Sequence, residues 1–252
     1  MLALVVLVVL VAVVVFVGVV LAQRVIRGEE STLSYGDSEP VRQVEVDAEL
    51  GAVSFVASSG PVRVRRTIRF ALARPELVDR LDGQVLRLED RWQRPWQIGG
   101  DVSYRVEGPA DTVLRLSTGA GALRVEGSDA EVVLRTGAGK VTLSRVGGSV
   151  RATTSTGTVN GAGLTCHELD VETSAGAVTL AFDAPPERVE ARTSAGSIDL
   201  TVPDQAYDVT ATSQAGRVEV DVVNDPATSR RLVAHTSAGA VRIRPSELRS
   251  RA

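Results

Sequence analysis

The side chains best suited to catalysis or metal binding are few and scattered. The chain has two histidines, His167 and His235, and one cysteine, Cys166, and no second histidine or cysteine stands at a metal-ligand spacing from either histidine. A structural zinc site needs four such ligands and a catalytic one needs three. The sequence therefore predicts no metal site. We expect both histidines on exposed faces of strands and Cys166 as a small apolar residue of the core.

Motifs for nucleophilic or phosphate chemistry are also missing. The serines lack a nucleophile-elbow motif and a paired histidine. The GAGK phrase at 137–140 has neither the spacing nor the following helix of a phosphate-binding loop. Calcium-binding β-rolls need aspartates in their turns, and the recurring TSAG phrase has none. We expect no catalytic residues, no cofactor and no enzyme activity.

One pair of carboxylates keeps an enzymatic alternative open. Asp199 and Glu219 occupy equivalent positions of an internal repeat, in one column with Thr179 and Arg242. A polysaccharide lyase or glycosidase would need carboxylates of this kind beside a basic partner on adjacent coils. A solvated polar face explains the same residues more simply.

An aromatic and arginine cluster is the one candidate ligand contact. The stretch RWQRPWQIGG holds both tryptophans, Trp92 and Trp96, beside Arg91 and Arg94. Such side chains are enriched where proteins bind partners, and they could contact a sugar or a protein. The simpler interpretation is that this insertion caps the open end of the repetitive fold and that the tryptophans cover its last core layer.

An internal repeat determines the fold prediction. TSAG or a close variant ends at seven glycines, and the steps between them are 18, 18, 19, 20, 20 and 23 residues. These corner glycines are Gly121, Gly139, Gly157, Gly176, Gly196, Gly216 and Gly239. A glycine fits a corner that needs φ above zero, and the neighbouring Ser or Thr can bond local backbone groups.

Apolar residues stand at fixed distances from every corner. Positions two and four residues after each glycine, and seven and five residues before it, are apolar with one exception, Gly161. Polar residues alternate with them, which is the period of two of a β-strand. A weaker copy surrounds Gly51, with Val44 and Val46 before it and Val53 and Phe55 after it.

Equal columns in every unit favour stacked coils. In a solenoid, equivalent residues lie about 4.8 Å apart and share one environment. We therefore predict an all-β fold, a β-solenoid with coils of 18–20 residues and two strands per coil, and a ladder of corner hydroxyls. A sandwich of successive hairpins is the alternative.

The domain boundaries follow from composition. The solenoid is predicted at 41–244, with an insertion or cap at about 62–110 that contains a short helix from Pro75 to Leu81. Residues 25–40 are polar and rich in turn formers, which predicts a linker. Residues 245–252 form a polar tail.

The N-terminus predicts a membrane anchor. Residues 2–22 contain no charged, amide or proline side chain, and a helix of that length spans roughly 31 Å, close to a hydrocarbon core. We predict one transmembrane helix at 1–24, and a cleaved signal peptide ending at Ala22 is the alternative. Arg24 and Arg27 follow the helix and favour a cytoplasmic domain, but two arginines weigh little in the positive-inside rule.

The repeat resembles the bacterial putative-adhesin family of domains of unknown function. The resemblance covers roughly 41–244 and rests on short strands around a Thr-Ser-x-Gly corner, as in LTVPDQAYDVTATSQAGRVEV at 200–220. It implies a non-catalytic, β-solenoid-like domain associated with the cell envelope, and no functional residue transfers with it.

Together these features predict a single-pass membrane protein whose domain binds or scaffolds at the cell envelope, on the extracytoplasmic side. The expected partners are the membrane and a protein or polysaccharide. A membrane-tethered cytoplasmic scaffold or stress-response component is the alternative. A formal net charge of −3 without a basic stripe argues against nucleic acid.

Overall fold

The computed structural model describes residues 27–35, 40–71, 74–92 and 100–246. These residues are all-β and contain no helix. In this part of the chain, then, no helix could cross a membrane. The predicted transmembrane helix and the tail beyond Ser246 lie outside the described residues.

The described residues form 22 strands. In chain order these are β1 (Arg27–Tyr35), β2 (Gln43–Leu50), β3 (Val53–Ala57), β4 (Val62–Phe70), β5 (Glu76–Asp82), β6 (Val85–Arg91), β7 (Asp101–Gly108), β8 (Val113–Ala120), β9 (Leu123–Glu126), β10 (Val132–Ala138), β11 (Val141–Ser144), β12 (Val150–Thr156), β13 (Val159–Leu164), β14 (Glu168–Ala175), β15 (Val178–Phe182), β16 (Arg188–Ala195), β17 (Ile198–Val202), β18 (Ala206–Ala215), β19 (Val218–Val220), β20 (Val223–Asn224), β21 (Arg231–Ala238) and β22 (Val241–Pro245).

Each coil gives one strand to each of two sheets. The first sheet has the order β1-β4-β7-β3-β9-β11-β13-β15-β17-β22-β19, and the second β20-β18-β21-β16-β14-β12-β10-β8-β2-β6-β5. Neighbouring coils pair in parallel and in register, so that Thr136 faces Thr118 on one side and Thr154 on the other. The predicted β-solenoid is confirmed, and successive antiparallel hairpins are wrong for the repeat.

The inward columns of both sheets build one apolar core. Leu134, Val171 and Leu200 are fully buried in it, as the alternating sequence predicts. Burying such a side chain stabilises the fold by about 1.5–3 kcal/mol. Gly161 breaks the column, and a Cβ on it would lie 2.7 Å from Leu164. The leucine therefore fills the space that a side chain at position 161 would take.

The corner glycines allow a close contact between coils. Gly139, Gly157, Gly176 and Gly196 have φ between +153° and +157°. A Cβ on any of them would lie 1.8–2.1 Å from the carbonyl oxygen of the preceding corner glycine. No side chain fits in that space.

A ladder of buried hydroxyls follows the corner glycines, as the sequence predicts. Six of the seven hydroxyls donate to a glycine carbonyl of the adjacent coil rather than to another hydroxyl, and the exception is Thr154, whose hydroxyl has no partner among the described residues. The pairs include Thr136 with Gly121 at 3.2 Å and Thr193 with Gly176 at 3.1 Å.

The order of the last coils departs from chain order. β21 lies between β16 and β18, and β22 lies between β17 and β19. The Gly239 coil is therefore inserted between the Gly196 and Gly216 coils, and the Gly216 coil ends the stack. The connection at 221–230 is long enough for this return.

Two predictions in the N-terminal part are wrong. Residues 27–35 of the predicted linker form β1, which pairs antiparallel with β4 and is tied to it by an ion pair between Arg65 and Glu30 (3.4 Å). Backbone hydrogen bonds to β4 hold this strand in place. Its side chains are polar, so the sequence shows no apolar alternation that would predict a strand. The predicted helix from Pro75 to Leu81 is instead strand β5, because the adjacent β6 offers it an edge to pair with.

Candidate functional site

The candidate ligand contacts lie where the insertion closes one end of the solenoid. β4 and β7 extend the first sheet there, and β5 and β6 extend the second. Arg91 ends β6 and Trp92 follows it. Arg94 and Trp96 lie outside the described residues.

Trp92 is held between the core and the surface. Its ring packs against the core and is only partly buried. Its indole Nε1 donates to the Asp90 Oδ2 at 3.2 Å, and its backbone N–H donates to Glu49 at 3.3 Å. The ring therefore has a fixed position, which suits a cap residue and also a preorganised contact.

Beneath Trp92, charged side chains occupy inward positions of the cap. Arg66 is 3% exposed on β4 and Asp90 is 3% exposed on β6. Arg66 pairs with Asp79 and lies 5.2 Å from the ring centre of Tyr104. Among the described contacts, Arg66 Nε, Asp90 Oδ1 and the Tyr104 hydroxyl have no hydrogen-bond partner.

This buried cluster was not predicted from the sequence, although a signal was present. Arg66 interrupts an otherwise apolar column in VRVRRTIRF, and Asp90 does the same in VLRLED. A charge at an inward position of an alternating strand must be paired in the core, because an isolated buried charge is very costly.

Burial also changes the acidity of the cluster. Desolvation raises the pKa of Asp90 from 3.8 to about 6, although hydrogen bonds from the Glu49 N–H and the Trp92 indole lower it in part. Burial and the nearby Asp90 charge raise the pKa of Tyr104 well above its usual value. Among the described carboxylates, Asp90 therefore has the pKa that is raised furthest above its usual value.

An acidic groove opens beside Trp92. It has a volume of about 640 Å³ and is lined by Asp47, Glu49, Glu76, Glu89, Asp90, Arg91 and Trp92. Arg91 is mostly exposed and pairs with Glu89 at 2.8 Å. Carboxylates beside an indole face can accept hydrogen bonds from hydroxyl or amine groups of a ligand that packs on the ring.

A second groove lies on the outer face of the second sheet, in the middle of the stack. It has a volume of about 440 Å³ and is lined by Glu131, Val132, Val133, Ser149, Val150, Arg151, Glu168, Leu169, Asp170, Arg188 and Glu190. Arg151 pairs with Asp170 at 3.3 Å, and Arg188 pairs with Glu190 at 3.0 Å. The groove crosses β10, β12, β14 and β16, and its lining contains both acidic and basic side chains.

Asp199 and Glu219 lie on opposite sides of Arg242, because the last coil is inserted between theirs. Arg242 is 3.6 Å from Asp199 and 3.7 Å from Glu219. The two carboxylates thus flank one guanidinium on the outer face of the first sheet, in a ladder of alternating charge.

The remaining candidates have structural surroundings. His167 lies in the turn before β14, not on a strand, and is 3.7 Å from Glu187. His235 on β21 contacts the Thr212 hydroxyl at 2.7 Å. Cys166 is fully buried, and burial raises the pKa of its thiol to about 11. The described part of the chain has no cluster of three or more His, Cys, Asp or Glu side chains placed to hold a metal ion.

Comparison with known proteins gives one family match and several distant structural similarities. The family model described as Toastrack DUF4097 matches residues 36–244. No curated protein matches the sequence. A putative cell adhesion protein from Clostridium sporogenes is 12% identical over 87% of this chain and 100% of that chain, with a TM-score of 0.45. A putative adhesin from Parabacteroides distasonis is 11% identical over 86% of this chain and 97% of that chain, with a TM-score of 0.48.

Replacement of Asp90 by Asn should change how stability depends on pH. The raised pKa means that the folded state binds the Asp90 proton more tightly than the unfolded state, so this group's contribution to stability is lost as pH rises from 3.8 to about 6. We expect the free energy of unfolding of Asp90→Asn to gain about 2 kcal/mol relative to wild type between pH 4 and pH 7.

Denaturant unfolding across that pH range measures the difference. The matched control is Glu89→Gln, which removes a half-exposed carboxylate from the same strand. A constant difference between Asp90→Asn and wild type at every pH would contradict the assignment of a raised pKa to Asp90.

Proposed function

We propose that the chain, which belongs to the Toastrack DUF4097 family, is a non-enzymatic binding or scaffolding module of adhesin-like type at the cell envelope. It binds an extended polymer, a polysaccharide, along the axis of its stack of coils. Its N-terminal apolar segment tethers it to the membrane.

The groove on the second sheet is the observation that carries this proposal. Four consecutive coils present polar side chains at equivalent positions of the repeat. These positions follow one another at steps of about 4.8 Å along the solenoid axis. A linear polymer lying along the solenoid axis meets a polar side chain at every step. A compact small molecule would use only part of the groove.

The charge balance of the groove favours a hydroxyl-rich ligand over a strongly charged one. Arg151 and Arg188 are already paired with carboxylates inside it, and Arg115 lies 3.8 Å from Glu131 at its edge. A polyanion or polycation would have to displace these partners. Hydroxyl groups can instead donate to the carboxylates and accept from the guanidinium groups without breaking the pairs.

The membrane tether rests on residues 2–22, which are apolar throughout. With the domain outside the cytoplasm, the groove would face envelope polymers. A cytoplasmic domain would instead favour the scaffold alternative, to which Arg24 and Arg27 lend weight.

Removal of the groove arginines tests the binding role. We expect Arg151→Ala combined with Arg188→Ala in the full chain to lower affinity for isolated cell-wall polysaccharide about tenfold, which corresponds to about 1.4 kcal/mol. Both arginines are largely exposed, so each lost ion pair should cost at most about 1 kcal/mol of stability.

Cosedimentation with the insoluble polymer measures the affinity. The matched control is Arg124→Ala with Arg242→Ala, on the outer face of the other sheet. Equal affinity of the groove variant and wild type would contradict the groove as binding site. New reducing ends in the polymer after incubation would contradict the non-enzymatic role.

Protease accessibility tests the location. We expect the domain of the full chain to be digested on intact cells, because an envelope-facing module is reachable from outside. Protection until the cells are lysed would place the domain in the cytoplasm and contradict the adhesin-like role.

A further inference from the structure

The two ends of the solenoid close their strand edges in different ways. At the insertion end, antiparallel strands β1 and β5 form the edges. Their charged side chains include Glu29, which is paired with Arg74, and Asp79, which is paired with Arg66. Charges and irregular strands at an edge discourage pairing with another chain.

The other end is formed by the Gly216 coil and is largely open. β18 pairs along its length with β21, but on its outer side it meets only β20, at Ala206 and Tyr207. Among the described residues, positions 208–215 therefore have no strand beyond them, and neither does β19. One edge donor is covered, since the Val209 N–H donates to the Asn224 side chain at 3.0 Å.

The core layer is also partly exposed at this end, although Tyr207 and Val222 are buried. Val218 is 40% exposed, whereas its equivalent Val241 in the next coil is fully buried. Val209 and Ala211 are partly buried, whereas the residues that pair with them on β21 are fully buried. The repeat thus ends with an apolar layer that another layer of the same shape would cover.

The open edge lacks the usual protective residues. From Val209 to Ala215, β18 contains no lysine, no proline and no charged side chain. On β19 and just before it, Glu219 and Arg217 carry opposite charges. Two copies of β18 laid side by side would therefore meet no repulsion between like charges.

We propose that the Gly216 end binds the same end of a second copy of this chain, so that both sheets continue across the contact. A two-fold axis across the stack reverses the strand direction, so β18 and β19 pair antiparallel with edge strands of the second copy. Such an isologous contact closes and gives a dimer, not a filament.

A second copy fits this end better than a single peptide. Two edges about 10 Å apart, running in opposite directions with an apolar layer between them, need a partner with two sheets at the same spacing. An extended peptide could pair with one edge only and would leave Val218 exposed. Another Gly216 end supplies both strands and the matching layer.

Cross-linking in the full chain tests the contact. We expect Thr212→Cys, at the middle of the free part of β18, to give a covalent dimer with a flexible bismaleimide. Arg80→Cys on β5, at the closed end, should remain monomeric. Cys166 should not react, because it is fully buried.

A charge variant separates this contact from association through the N-terminal segment. Light scattering of the detergent-solubilised chain should give a protein mass of twice 26.6 kDa. Thr210→Lys with Gln214→Lys should restore the single-chain mass while the far-ultraviolet circular dichroism spectrum stays that of wild type. A single-chain mass for wild type, a dimer that persists in the lysine variant, or equal cross-linking of both cysteine variants would overturn the proposal.

Discussion

Successive coils approach each other closely at a glycine corner that recurs along the stack, and the rest of the fold depends on that contact. Each corner glycine lies against the carbonyl oxygen of the glycine in the adjacent coil, and at every corner except that of Gly157 a neighbouring hydroxyl donates to the same carbonyl. A side chain at the glycine would push the coils apart. Because the corner fixes the height of each coil, both strands that leave it pair in register with those of the next coil.

Register at the corner also determines the outer surface. Positions equivalent in the repeat lie in straight columns, so an ordered row of charges such as Arg151, Asp170 and Glu190 needs no loop to build it. The same regularity leaves an end open wherever the stack stops. The insertion closes one end with antiparallel strands and a buried charged cluster, whereas the Gly216 coil leaves strand edges and an apolar layer exposed.

The repeat could be predicted because every coil places apolar residues at the same distances from a glycine. The order of the last coils could not, since the Gly216 and Gly239 coils have equivalent columns and either could follow the Gly196 coil. The 23-residue step between them was the only sign of a return. β1 and β5 were missed because edge strands are held by backbone pairing, which leaves little trace in composition. Arg66 and Asp90 interrupt the apolar alternation of their strands, but they were not recognised as buried charged side chains.

Thermal unfolding of Gly196→Ala, compared with Gly60→Ala, tests the role of the corner most directly. At Gly196, φ is +153° and a Cβ would lie 2.1 Å from the Gly176 carbonyl oxygen, whereas a Cβ at Gly60 would meet nothing within 4 Å. We expect Gly196→Ala to lower the free energy of unfolding by on the order of 3 kcal/mol, which corresponds to a melting temperature roughly 6–12 °C lower. Gly60→Ala should melt close to wild type. Equal melting temperatures for the two variants would contradict the corner contact as the constraint on which the stack depends.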